Sequence, residues 1–195
     1  GLDALTQVIE PYVSVRSNPL TDGFCQEGMG RVSRSLRRAY LNGGDVAART
    51  DMAVASLMGG LALANAGLGV VHGFAAPLGG MFPAPHGAVC AALLPHGMEA
   101  NIRALRARAP ASEALRRYST IAQILTQKPD ATAEDGVQWV KELCRDLGIP
   151  PLRSYGIDRS HLQVLVEKAS RASSMKGNPL PLTPDELGEV LTRAL

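Results

Sequence analysis

Residues 71–90 read VHGFAAPLGGMFPAPHGAVC, and the spacing of their two histidines decides how the chain is read. His72 and His86 each precede a glycine, stand fourteen positions apart, and have mostly Gly, Pro and apolar residues between them. On one straight helix fourteen residues span about 21 Å, too far for two side chains to meet. Pro77, Gly79, Gly80, Pro83 and Pro85 make such a helix untenable. The stretch therefore predicts two helices joined by a compact bend, with His72 near the start of one and His86 near the start of the next. A bend of that length brings both imidazoles toward one point. Imidazole nitrogen is the commonest protein ligand for divalent transition metals, and two of them call for a carboxylate to complete a mixed N/O site. Asp3 in DALTQ is the candidate carboxylate, with Gln7 four residues on and on the same helix face. Each residue alone also has a plainer reading: a histidine in an apolar run packs in a core or at a helix end, and Asp3 caps a helix.

Outward from this stretch nearly everything reads as helix. DALTQVIEPYVSV opens at Asp3 and is disturbed by Pro11. A long helix is predicted from Pro19 to Asn42, stopped by Gly43-Gly44, and Asp45 leads a third through to Ala66 before Gly67 and Gly69. Further helices fit 112–127, 132–147, 158–173 and 183–195; the last opens Thr183-Pro184-Asp185-Glu186, a capping box with proline at the first helical position. No alternating run of Val, Ile, Thr and aromatics suggests a strand, and the Pro-rich breaks at 149–151 and 178–181 read as turns rather than linkers. The expectation is one all-α, multi-helix domain over residues 1–195.

Composition narrows the function. Of 195 residues 46% are hydrophobic, 19% charged and only 4% aromatic, so a real core must rest on Ala, Leu, Val, Ile and Met. A formal charge of +2 gives no reason to expect a nucleic-acid partner. The basic stretches RVSRSLRRAY and IRALRARAP lack interleaved aromatics and read as solvated helix faces. Cys25, Cys90 and Cys144 are scattered, without a CxxC pair, and read as buried free thiols in a reducing compartment. GLDALTQVIEPYV lacks the basic start and apolar run of a secretory leader. MAVASLMGGLALANAGLGVV is broken by glycines and Asn65, which favours a packed core helix over a membrane span. A cytoplasmic protein without a membrane partner is expected.

VVHGFAAPLGGMFPAPHGAVCAALLPH resembles the signature of the iron-containing (group III) alcohol dehydrogenase family. LDALTQVIEPYVSVRSNPLTDGFC resembles the start of that family's C-terminal helical domain, and GNPLPLTPDELGEVLTRAL its closing Asn-Pro turn and last helix. The likeness runs over essentially the whole chain, in order. It implies a dehydroquinate synthase-like helical domain whose ion, Fe(2+) or Zn(2+), is held by Asp3, His72 and His86. Gln7 stands where the family usually has a fourth ligand, His, and is expected as a weak ligand or a hydrogen-bonding neighbour of the ligands. Ala76 replaces a further family histidine; His96 reads as structural, and His161 as a surface residue. Phe82 is the one expected pocket-lining residue.

The resemblance also implies an N-terminal domain binding NAD(P) on a glycine-rich turn. No strand–glycine-rich turn–helix unit occurs in residues 1–195, and GGMFPAPHG is not such a turn in the right context. The chain is therefore expected to be the metal-binding half of an NAD(P)-dependent alcohol dehydrogenase or aldehyde reductase, inactive alone, acting on a small alcohol or aldehyde as a homodimer. Two alternatives stand beside this: a maleylacetate reductase-like domain that needs no metal, and a non-catalytic helical dimerisation module.

Overall fold

Local side-chain caps mark five of the nine α-helix starts. The computed structural model describes all of residues 1–195 and contains no strand. Its helices are α1 (Leu2–Val13), α2 (Pro19–Leu41), α3 (Val46–Ala66), α4 (Val70–Met81), α5 (His86–Arg108), α6 (Glu113–Thr126), α7 (Ala133–Asp146), α8 (Leu162–Ser170) and α9 (Pro184–Ala194). Asn18, Asp45, Ser112, Thr132 and Thr183 accept hydrogen bonds from the first free N–H groups of α2, α3, α6, α7 and α9. Burial then follows the helical period. Tyr118, Ile121, Ala122 and Leu125 face inward on α6, and Leu187, Val190, Leu191 and Ala194 do so on α9.

Three local expectations are corrected. Asp3 does not cap α1: Gly1 holds that place, and Asp3 lies in the first turn with its side chain turned to the interior. The stretch predicted as one helix over 158–173 divides into a 3-10 turn, Arg159–His161, followed by α8. Gly79 and Gly80 do not belong to the bend. Helix α4 runs through Pro77 to Met81, so the bend is confined to residues 82–85. Pro77 costs α4 one hydrogen bond, but packing of Phe74, Ala75 and Leu78 holds the helix.

Helices α1, α2 and α3 pack closely because small residues line their contacts: a Cβ added at Gly28 would meet Val8, and one at Gly59 would meet Gln7. Helix α3 is long and apolar enough to cross a membrane, but it packs against the rest of the protein along one side. Only the stripe Ala48, Ala55, Gly59, Ala62 and Ala66 is buried, while Leu57 (64%) and Leu61 (41%) remain exposed. The basic stretches are engaged by carboxylates. Arg31 and Arg34 meet Asp51, Arg38 meets Asp45, Arg37 meets Asp146, and Arg103, Arg106 and Arg108 meet Glu189, Glu134 and Glu186.

At the centre, the N-terminus of α4 is held by groups distant in sequence. Val71 N–H donates to Glu10 Oε1 (2.7 Å), and Val70 N–H donates to Asn178 Oδ1 (3.1 Å). Asn178 is fixed in turn by reciprocal hydrogen bonds with Asn101. Gly69 is required here, since a Cβ would come within 2.9 Å of Asn178 Oδ1 and 3.0 Å of Glu10 Oε1. The closing Asn-Pro turn thus sets the start of the helix that carries His72.

Candidate metal centre

Three helix N-termini meet at one point. Asp3 comes from the first turn of α1, His72 from the first turn of α4, and His86 is the first residue of α5. The side-chain donor atoms of Asp3, His72, His86 and Cys90 all lie within 4.8 Å of one another. His72 Nε2 is 3.4 Å and His86 Nε2 3.5 Å from Asp3 Oδ1, and the two rings sit 5.5 Å apart, tilted by 49°. All three sequence-predicted ligands are therefore brought together.

The surroundings fix what these atoms present to the centre. Glu10, two helical turns after Asp3, is buried, and its Oε2 lies 2.7 Å from His72 Nδ1. A carboxylate there accepts from Nδ1–H, which leaves the Nε2 lone pair facing Asp3 Oδ1. That oxygen is buried and makes no hydrogen bond. A lone pair opposed to an unpartnered carboxylate oxygen, both in the interior, is a repulsive arrangement until a proton or a cation lies between them. Burial alone would pull the His72 pKa down, but Asp3, Cys90 and Glu10 outweigh it and push it up to about 12. Asp3 is held below the usual carboxylate range by His72, against the effect of burial. The pocket thus demands positive charge, and its donor set of one carboxylate and two imidazoles fits a divalent transition metal.

Gln7 meets the cluster through Asp3. Its Nε2 donates to Asp3 Oδ2 (3.0 Å), which orients the carboxylate, and its Oε1 faces Gly59. Of the two expectations for Gln7, this contact is the one of a hydrogen-bonding neighbour of the ligands. His96 is partly buried between α5 and α9, its Nδ1 without a partner, and lies away from the cluster. His161 pairs with Asp158 (3.0 Å) and meets Phe82 edge-on with ring centroids 4.9 Å apart, so it is only partly at the surface. A surface cleft between α5 and α7 is lined largely by side chains already engaged in ion pairs, and no cluster of donor atoms opens into it.

Sequence reasoning missed two residues. Glu10 carried a signal: an acidic residue seven positions after Asp3 lies on the same helix face, inside the apolar run VIEPYV. Cys90 carried another, standing four residues after His86 on α5. Its Sγ lies 3.6 Å from His86 Nε2 and 3.9 Å from His72 Nε2. Burial raises its thiol pKa, with His72 acting in the opposite direction.

Comparison with known proteins agrees with this geometry. The family model "Fe-containing alcohol dehydrogenase family, C-terminal" matches residues 1–195. Alcohol dehydrogenase 4 of Saccharomyces cerevisiae is 36% identical over 198 residues, covering 100% of this chain and 49% of that protein. The 1,3-propanediol dehydrogenase of Citrobacter freundii is 33% identical over 200 residues, with 100% and 49% covered. Among solved structures, an alcohol dehydrogenase from Oenococcus oeni superposes with a TM-score of 0.90 at 34% identity, over 100% of this chain and 50% of that one. The chain spans about half the length of the relatives it matches.

Proposed function

Because the chain belongs to the iron-containing alcohol dehydrogenase family, matching its C-terminal part, we propose that it is the metal-binding half of an NAD(P)-dependent alcohol dehydrogenase or aldehyde reductase. The observation that carries the reading is the meeting of Asp3 Oδ1, buried and unpartnered, with His72 Nε2 and His86 Nε2. These three residues would hold the ion, iron or zinc. When bound, the ion supplies Lewis acidity that polarises the oxygen of a small alcohol or aldehyde while hydride passes to or from the nicotinamide. Most of the nicotinamide site is assigned to a nucleotide-binding domain outside these 195 residues.

The chain's own residues then have separable tasks. Asp3 offsets part of the cation's charge with one oxygen, while Gln7 holds the other. Glu10 keeps the His72 proton on Nδ1 and the ring in one orientation. His86, with a side chain 53% exposed, forms the open rim toward which a substrate approaches. No further side chain at the cluster is placed as an independent general base. The proposal takes the whole protein as a cytoplasmic homodimer, which sedimentation and fractionation read.

Retention of all three donors weighs against the metal-independent reductase and the helical module, because neither calls for a second imidazole, His86, converging on the same carboxylate oxygen as His72. The test is metal content and turnover of the purified whole protein with NAD(P)H and a series of small aldehydes. One equivalent of metal, and loss of both metal and turnover in His72→Ala and in Asp3→Asn, is the expected result. Full turnover from metal-free protein would overturn the proposal.

A further inference from the structure

We propose that Cys90, not Gln7, is the fourth donor of this centre, giving an Asp-His-His-Cys set suited to zinc over iron; this rests on the metal-binding reading of Asp3, His72 and His86. The distances carry it. Zinc bonds of about 2.0–2.1 Å to nitrogen or oxygen and about 2.3 Å to sulfur, at tetrahedral angles, give edges of about 3.3–3.5 Å between N/O donors and about 3.6 Å between nitrogen and sulfur. The edges found are 3.4 and 3.5 Å from Asp3 Oδ1 to the two imidazoles, and 3.6 and 3.9 Å from Cys90 Sγ to them. Four of the six edges thus lie near those of a zinc tetrahedron and the other two are within 4.8 Å, while the exposed His86 side leaves room for a substrate oxygen as a fifth donor.

Sequence spacing explains why the thiol arrives. His86 and Cys90 are four residues apart on α5, one turn along the same face, just as Asp3 and Gln7 are on α1. On α1 the second member is diverted: the Gln7 amide donates to Asp3 Oδ2 and its oxygen is turned to Gly59. On α5 the second member points into the cluster. The Cys90 side chain is fully buried, so no external thiol chemistry competes for its sulfur. Coordination releases the thiol proton to solvent and places a thiolate beside the carboxylate, two anionic donors for one dication. A soft sulfur donor, together with the ordinary rise in affinity from Fe(II) to Zn(II), shifts preference toward zinc.

The test uses cobalt(II) as a spectroscopic substitute for zinc in the purified protein. The expected result is one equivalent of cobalt bound with a thiolate-to-cobalt charge-transfer band in the near ultraviolet. Cys90→Ser should abolish that band while the helical circular dichroism stays unchanged, and should weaken zinc binding at least about 100-fold. That is the upper figure for losing an outer-shell partner; Gln7→Ala, an outer-shell change here, should weaken it by no more than about 10- to 100-fold. Stoichiometric cobalt binding without the band would overturn the role of Cys90 and leave the Asp3–His72–His86 site standing. If neither cobalt nor zinc binds, both readings fall. Should Cys90→Ser fail to fold, Cys90→Ala is read in the same way, and a band that persists in a Cys25→Ala, Cys144→Ala double variant assigns it to Cys90.

Discussion

His72 and His86 share the dipeptide His-Gly and the start of a helix, but they occupy opposite kinds of ground. The His72 side chain is 7% exposed, held at Nδ1 by Glu10, and its helix is capped by Glu10 and Asn178 from far along the chain. The His86 side chain is 53% exposed, and its helix begins after Pro85 with no side-chain cap. One imidazole is buried and held in place by the fold; the other stands on an open rim. A metal centre that must admit a substrate needs this asymmetry. The buried half fixes geometry, and the exposed half leaves room.

Alanine at the two positions should separate these roles most sharply. Both His72→Ala and His86→Ala are expected to cut metal affinity by at least about 100-fold. Only His72→Ala should also destabilise the apo-fold, by about 3 kcal/mol, because it strands the buried Glu10 carboxylate. His86→Ala should change stability by less than about 0.5 kcal/mol. Equal losses in denaturant unfolding would break the comparison. Glu10→Gln is the next step down. It keeps the shape but weakens the hold on Nδ1–H, so metal affinity should fall about 10- to 100-fold, read by competition with a chelator.

Gly69→Ala probes the frame beneath His72 alone. The added Cβ would press on Asn178 Oδ1 and Glu10 Oε1, and an expected cost of about 1–3 kcal/mol in unfolding reports how firmly those two groups are fixed. No equivalent crowding exists at the His86 side, where a Cβ on Gly87 would meet only Asp3 Cβ at 3.8 Å. Gly87→Ala should therefore be close to neutral. A further effect, confined to low pH, lies away from both histidines. The Asp51 pKa is lowered to about 2 by Arg34, Ser35 and Arg31, below the model-peptide value near 3.9. A folded-state pKa below the unfolded one gives stability that is present above about pH 4 and lost as pH falls through about 2. Asp51→Asn should remove that part of the acid sensitivity, about 1–2 kcal/mol, without altering metal binding at neutral pH.

The helix boundaries were legible in the sequence because they are set by local chemistry. Asn18, Asp45, Thr132 and Thr183 begin helices through bonds to residues two or three positions away. The pair of helices around residues 82–85 followed from the prolines, and the likeness to a known family named Asp3, His72 and His86 together. What was hidden depends on contacts between segments far apart in sequence. Glu10 meets His72 across 62 residues and Asn178 meets Val70 across 108, distances at which spacing carries no signal. Cys90 was overlooked for another reason: its spacing of four from His86 was legible, but a cysteine in an apolar helix packs as a small hydrophobe in most settings.

The central claim is that Asp3, His72 and His86 close on a single cation, and anomalous diffraction from zinc-soaked crystals of the protein tests it most directly. The expected result is one anomalous peak per chain, within about 2.0–2.2 Å of Asp3 Oδ1 and of both Nε2 atoms. A cluster that takes up no zinc, or a peak bound elsewhere with His72 and Asp3 turned apart, would contradict it.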